Sequence, residues 1–150
     1  MRKGFSIFEL ILSIGLIVVL GGIAILAMNP SGQVAKARNS QRNADLNTIM
    51  NGIRLNLADN RNSFSCGAGD IPTTATLRMA SAGTSSYDIA PCIIPTYIPL
   101  MPFDPLADDA HYGGSTDYDS GYYITRNAST GLVTLSAPFA ELSSTISITR

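Results

Sequence analysis

Reactive side chains are scarce in this chain. Its 150 residues include one histidine, His111, and two cysteines, Cys66 and Cys92. A lone imidazole and two distant thiols cannot form a metal-spaced His/Cys cluster, and there is no CxxC redox pair. No serine has a GxSxG setting, and His111 lies in a polar stretch with no nucleophile beside it, so a triad is missing. No phosphate-cradling glycine loop or dinucleotide fingerprint occurs. These absences point away from catalysis, and the expectation is a non-enzyme. Charge is also sparse, 14% of residues with a net of −1, and the C-terminal two-thirds have no basic patch. Direct nucleic-acid binding is therefore not indicated.

What the chain has in quantity is apolar surface, concentrated at one end. From Phe5 to Met28 the sequence is apolar or small except for Glu9, and proline first appears at Pro30. That run slightly exceeds the ~20 residues a helix needs to cross a bilayer core. Arg2 and Lys3 precede it and favour a cytoplasmic N-terminus. It is too long for a signal-peptide core of about 7–15 residues, and no small-x-small site closes it. Glu9 is the exception that needs a reason. A carboxylate at the centre of a span costs about 2.5–3.5 kcal/mol, so an acid in that setting calls for a partner unless it snorkels to the interface.

The residues Arg2-Lys3-Gly4-Phe5-Ser6-Ile7-Phe8-Glu9-Leu10 resemble the class III signal of type IV pilins and type II secretion pseudopilins. That pattern is a short basic leader ending in Gly, then Phe, Ser or Thr, two apolar residues, Glu and an unbroken apolar helix. The resemblance implies cleavage between Gly4 and Phe5 by a prepilin peptidase, N-methylation of Phe5, and a role for Glu9 in assembly. Chemistry supports the pattern independently. Cutting before Phe5 removes both basic residues, keeps the anchor and creates an ammonium four residues from Glu9, which can pair with the Glu9 of a neighbouring copy. In one respect the chain departs from the family: many pilins carry a helix-bending proline earlier in the run, where this sequence has Leu26, and here proline is delayed to Pro30.

After Asn29-Pro30 a kink or short break is expected, because proline disfavours helix at the preceding residue; Gly21-Gly22 is a second soft point. From Gln33 to about Asp59, Val34, Ala37, Leu46, Ile49, Met50, Ile53 and Leu57 recur mostly at three- and four-residue steps, an amphipathic helix. Together the two helices would extend roughly 80 Å. Lys36, Arg38, Arg42, Arg54 and Arg61 make this stem basic, whereas from Asp70 onward eight acids face Arg78, Arg126 and Arg150. Such polarity suits staggered subunits, with independently solvated faces as the alternative.

Cys66 and Cys92 follow the span and are therefore exported, which favours a disulfide. Repeated Gly and Pro between Asn60 and Pro102 mark an ordered loop region stapled by that bridge, with short strands or a helical turn near Thr74–Ala80 and Ser86–Ile89. Gly121–Arg126 and Leu132–Ser136 flank a five-residue link ending in Gly131, a hairpin signal, and Thr145–Thr149 alternates as a third strand. Tyr122 or Tyr123, Ile124, Leu132 and Leu135 are the expected sheet-to-helix contacts. The acidic stretch 103–121 carries Asp104, Asp108, Asp109, Asp117 and Asp119 and no basic residue, which makes these five candidate calcium ligands. Phe103-Asp104-Pro105 resembles a segment of pseudopilins that hold calcium in their C-terminal loop; the EF-hand pattern is not met, and a plain hydrophilic loop is the alternative. Asn127-Ala128-Ser129 is a short glycosylation sequon on the hairpin tip.

The expected architecture is thus an α+β pilin fold: leader 1–4, transmembrane and assembly helix 5–29, stem 30–59, and head 60–150. The implied function is a structural subunit of a type IV pilus-like filament, lodged in the inner membrane before assembly and extracellular after it. Its partners would be other copies of itself, the prepilin peptidase and the membrane assembly machinery. The alternatives are a pseudopilin of a type II secretion or competence system, or a non-polymerising, membrane-anchored exported binding protein.

Overall fold

The computed structural model describes residues 4–27 and 29–150. The leader residues Arg2 and Lys3, and Met28 at the end of the apolar run, lie outside them. The chain is mixed α+β, with a long N-terminal apolar helix and a small sheet. Helix α1 covers Ile7–Ala27, 21 residues, about 32 Å at 1.5 Å per residue and so close to the ~30 Å hydrocarbon thickness. It starts two residues later than the apolar run, with the Leu10 amide bonded to the Ser6 carbonyl. Gly21 and Gly22 do not interrupt it.

The expected break falls at Asn29, which adopts a left-handed backbone (φ 41°) and caps α2, Pro30–Asp59. Its side-chain oxygen accepts from the Gly32 amide at 3.3 Å, and Pro30 occupies the first turn, where its missing N–H leaves no bond unmade. The buried face of α2 differs from the apolar stripe read in the sequence. Val34 is half exposed and Ala37 is exposed. The face that turns inward carries Ala35, Asn39, Arg42, Leu46, Ile49, Ile53 and Asn56, alternating four- and three-residue steps as one side of a helix requires. Its lower half is polar.

The sheet has six strands: β1 (Leu77–Ala80), β2 (Ser86–Tyr87), β3 (His111–Gly114), β4 (Asp117–Arg126), β5 (Val133–Ala137) and β6 (Ile146–Thr149). A short helix α3, Ala90–Ile93, lies between β2 and β3. The strand order is β2-β1-β4-β5-β6, with β3 also pairing to β4. Strand β4 organises the rest. Its Ile124 pairs with Leu77 on one side and Leu135 on the other, while Asp119 lies between Ala80 and His111. The sheet is thus larger than a three-stranded meander, and β1 and β2 run parallel.

Strand β5 alternates as a half-buried strand should: Val133, Leu135 and Ala137 point inward, Thr134 and Ser136 do not. Those three, with Met79, Tyr118, Tyr122, Ile124 and Ile146, close over Leu46, Ile49, Met50 and Ile53 of α2. Leu132 is a correction, because it is 45% exposed. It belongs to the turn, one residue before the alternation begins, and Val133 takes the inward place. Tyr122 is fully buried, and its hydroxyl donates to Asp45 Oδ2 at 2.7 Å, tying sheet to helix.

The register of β4 slips between Arg78↔Tyr123 and Ala80↔Asp119, and Gly121 (φ 69°) sits in the resulting bulge. A Cβ there would lie 2.6 Å from the Ala107 Cβ and 3.1 Å from the Asp104 Cβ. Left-handed strain of about 1–2 kcal/mol adds to that collision. Gly121→Ala is therefore expected to lower stability by about 2–4 kcal/mol, checked by the urea midpoint; an unchanged midpoint would mean the bulge relaxes freely.

Candidate assembly surface

Residues Ile7–Ile25 form a helix long and apolar enough to cross a membrane, and none of that segment is buried against the rest of the chain. Phe5, Ile7 and Phe8 are each at least three-quarters exposed. So much apolar surface left in water would be strongly unfavourable, at roughly 25 cal/mol per Å². The helix therefore needs lipid or protein around it. Glu9 is its only acid, in the first turn, where a carboxylate complements the positive end of the helix dipole. The Ser13 hydroxyl donates back to the Glu9 backbone carbonyl at 2.7 Å, and among the described residues the Glu9 carboxylate joins no ion pair. Gly4 and Phe5 precede the helix as exposed, non-helical chain, a form in which a peptide bond is accessible.

At the other side of the Asn29 break, the head is locked to the stem by a buried polar seam. Arg42 donates through Nε to Asp104 Oδ2 at 2.7 Å and through Nη2 to Asp104 Oδ1 at 2.9 Å, and both side chains are fully buried. Its Nη1 reaches Asn39 Oδ1 at 2.9 Å and Glu141 Oε2 at 3.1 Å. Arg38 forms a second fork on Glu141. The Asn39 amide clasps the backbone of Glu141, donating to its carbonyl at 2.8 Å and accepting from its N–H at 3.0 Å. Such planar two-point pairing fixes geometry as well as charge.

Electrostatics follow from that network. The two arginines hold the Glu141 carboxyl down to about 2. Burial pushes Asp104 upward, but the Arg42 guanidinium and the Leu106 and Ala107 amides outweigh it and leave the carboxyl below its usual range. Asp45 goes the other way, raised chiefly by burial despite its bond from Tyr122.

The acidic stretch is therefore not free of positive partners. Arg42 from α2 takes Asp104, and Arg78 from β1 takes Asp119 at 2.6 Å while also donating to the Asp108 carbonyl. Asp117 pairs with His111 Nε2 at 3.2 Å. Among the described residues Asp108 and Asp109 have no such partners. Among the described residues no group of three or more His, Cys, Asp or Glu side chains is placed to hold a metal ion. As a set, the five candidate calcium ligands are not brought together: salt bridges from distant parts of the chain have taken two of them. His111 is exposed as expected, but it opens strand β3 rather than lying in a loop. Its pKa is raised, first by the bond to the Asp109 carbonyl and then by Asp117.

Cys66 and Cys92 are joined, closing a loop worth about 3 kcal/mol on a chain-entropy argument. Asn56 secures that loop to the stem: its Nδ2 donates to the Ser65 and Cys92 carbonyls at 3.0 and 2.9 Å, and its Oδ1 accepts from the Ser65 N–H at 2.9 Å. Sequence reasoning missed Asn39, Arg42 and Asn56 because it followed only apolar residues. The signal was there, since all three fall on the three–four spacing that runs through Leu46, Ile49 and Ile53. Asn127 of the sequon is exposed, and its side-chain oxygen accepts from the Ser129 and Thr130 amides.

No protein-family model, no curated protein and no solved structure matches this chain.

Proposed function

We propose that this chain is the structural subunit of a type IV pilus-like filament. A prepilin peptidase cuts between Gly4 and Phe5, Phe5 is N-methylated, and α1 holds the subunit in the inner membrane until it polymerises and leaves the cell. The observation that carries this reading is the unpartnered apolar helix with one acid near its start. The rod suits lipid before assembly and the same rod of neighbouring copies afterwards. A new Phe5 ammonium in a dry filament needs a counter-charge, and Glu9 supplies one of the right sign. The seam at Arg42 supports the same reading. It makes head and stem one piece, so that packing among the apolar helices can set the position of every head.

The basic stem contributes less to contacts between subunits than its charge count suggests. Arg38 and Arg42 are already paired within the chain, leaving Lys36, Arg54 and Arg61 for acids of neighbouring copies.

Intact-mass and N-terminal fragment spectra of the protein from its native membrane test the proposal. The expected mature form begins at Phe5 and carries one methyl group on its amine. Retention of Met1 through Gly4 would overturn the reading and leave a membrane-anchored exported protein that does not polymerise.

A further inference from the structure

At the far end of α2 from the apolar helix, a cavity of about 240 Å³ opens between the stem, the disulfide loop and the β4–β5 turn. Leu57, Phe64, Ile71 and Val133 give it apolar walls, while Arg126 and Asn62 supply polar groups. Arg126 is the anomaly. Its Nε is buried and makes no hydrogen bond, and it joins no ion pair among the described residues. Its backbone N–H is used, donating to the Pro72 carbonyl at 2.8 Å, so the strand fixes where the side chain starts. A buried donor without an acceptor costs about 1–3 kcal/mol, more when charged. Every other arginine that is turned into the head, Arg38, Arg42 and Arg78, has its carboxylate.

We propose that this cavity is a binding site for a small organic carboxylate with a flat or short apolar body, held by the Arg126 guanidinium. The Arg126 Nε is closed to solvent, so the planar edge formed by the two Nη groups is the one that matches a carboxylate in two-point geometry. Asn62 adds a further polar group at the rim, and the four apolar walls suit a hydrocarbon body. A fully hydrated inorganic anion would gain nothing from those walls. The volume equals that of roughly eight waters, enough for a single aromatic or short acyl acid and too little for a folded partner. The site lies at the end of the stem away from the apolar helix and stands whether or not the chain polymerises.

The test uses the full chain in micelles of an uncharged detergent, with proton–nitrogen spectra that include the arginine Nε–H region. The Arg126 signal is assigned by its disappearance in Arg126→Lys. Benzoate is titrated against benzamide, its neutral counterpart, at constant ionic strength. Benzoate is expected to shift the Arg126 Nε–H and the Gly131 amide saturably, with benzamide at least tenfold weaker and Arg126→Gln losing the benzoate response at Gly131. Equal responses to benzoate and benzamide, or benzoate shifts that leave the Arg126 Nε–H unmoved, would overturn the proposal. So would an undiminished Gly131 response in Arg126→Gln. If Arg126→Gln fails to fold, the two ligands on the unmodified protein, together with Arg126→Lys, decide the question.

Discussion

Asp104→Ala is expected to cost the head about 3–5 kcal/mol, because it strands a fully buried guanidinium without its main counter-ion. Arg42 would keep Asn39 and Glu141, each through a single Nη1 bond, but lose both members of its fork. The Leu106 and Ala107 amides, which donate to Asp104 Oδ1 at 2.8 and 3.2 Å, would be left unmet as well. A paired replacement separates charge from packing. Arg42→Met with Asp104→Leu removes both ions, and such exchanges are often neutral or stabilising. The double variant should therefore be less damaged than Asp104→Ala alone. Thermal melting followed by the near-ultraviolet signal of the tyrosines measures both, and a loss below about 1 kcal/mol for Asp104→Ala would refute a structural role for the pair.

The same seam sets how the head responds to acid. Asp104 and Glu141 have folded-state pKa values below their unfolded ones, Glu141 near 2. Their contribution is complete above the ordinary carboxylate range near 4 and is lost as pH falls through the folded values. Asp45 and Asp88 have the opposite sign: burial raises both. Holding them ionised costs stability at neutral pH, and acid relieves that cost. Stability should therefore hold or rise slightly from neutral pH down to about 4, and fall steeply as pH approaches 2. In Asp104→Ala the steep limb should be shallower, since one of its two carboxylates is gone.

How much of this could be read in the sequence depended on whether chemistry was local. The apolar helix, the break before Pro30 and the strand segments 121–126, 132–136 and 145–149 each announce themselves within a few residues, through composition, a proline or an alternation. The Cys66–Cys92 bridge could be inferred from only two thiols in a segment read as exported. The pairings in the polar seam could not be read this way, because Arg42, Asp104 and Glu141 lie far apart in the chain; only the place of Arg42 on the buried face showed, in its spacing. The partners of the acidic stretch were hidden for the same reason: its cations, Arg42 and Arg78, come from α2 and β1. Arg126 was invisible too, since an arginine at a strand end is usually solvated. Only the fold sets Arg126 beside the cavity.

Glu9→Ala is expected to abolish filaments while leaving the head folded and the subunit in the membrane. Glu9 lies in the first turn of α1, and in a subunit held in lipid as proposed it would be near enough to the interface to keep some hydration. In a filament that escape is closed, and the acid must meet a cation or be excluded. On the proposed function the methylated Phe5 amine would still carry a positive charge, so removing Glu9 would leave that charge buried and unmatched in every contact. Breaking one buried pair costs about 3–5 kcal/mol, roughly a hundredfold or more in the equilibrium for each added subunit. Glu9→Gln should be nearly as damaging, because it keeps shape and hydrogen bonding but not charge. Glu9→Asp should retain partial assembly. Electron microscopy counts the fibres, and blotting of membrane fractions confirms that subunit is present. Fibres in ordinary number from Glu9→Ala would show that the apolar helices pack without the pair, and that the acid does not choose how they align.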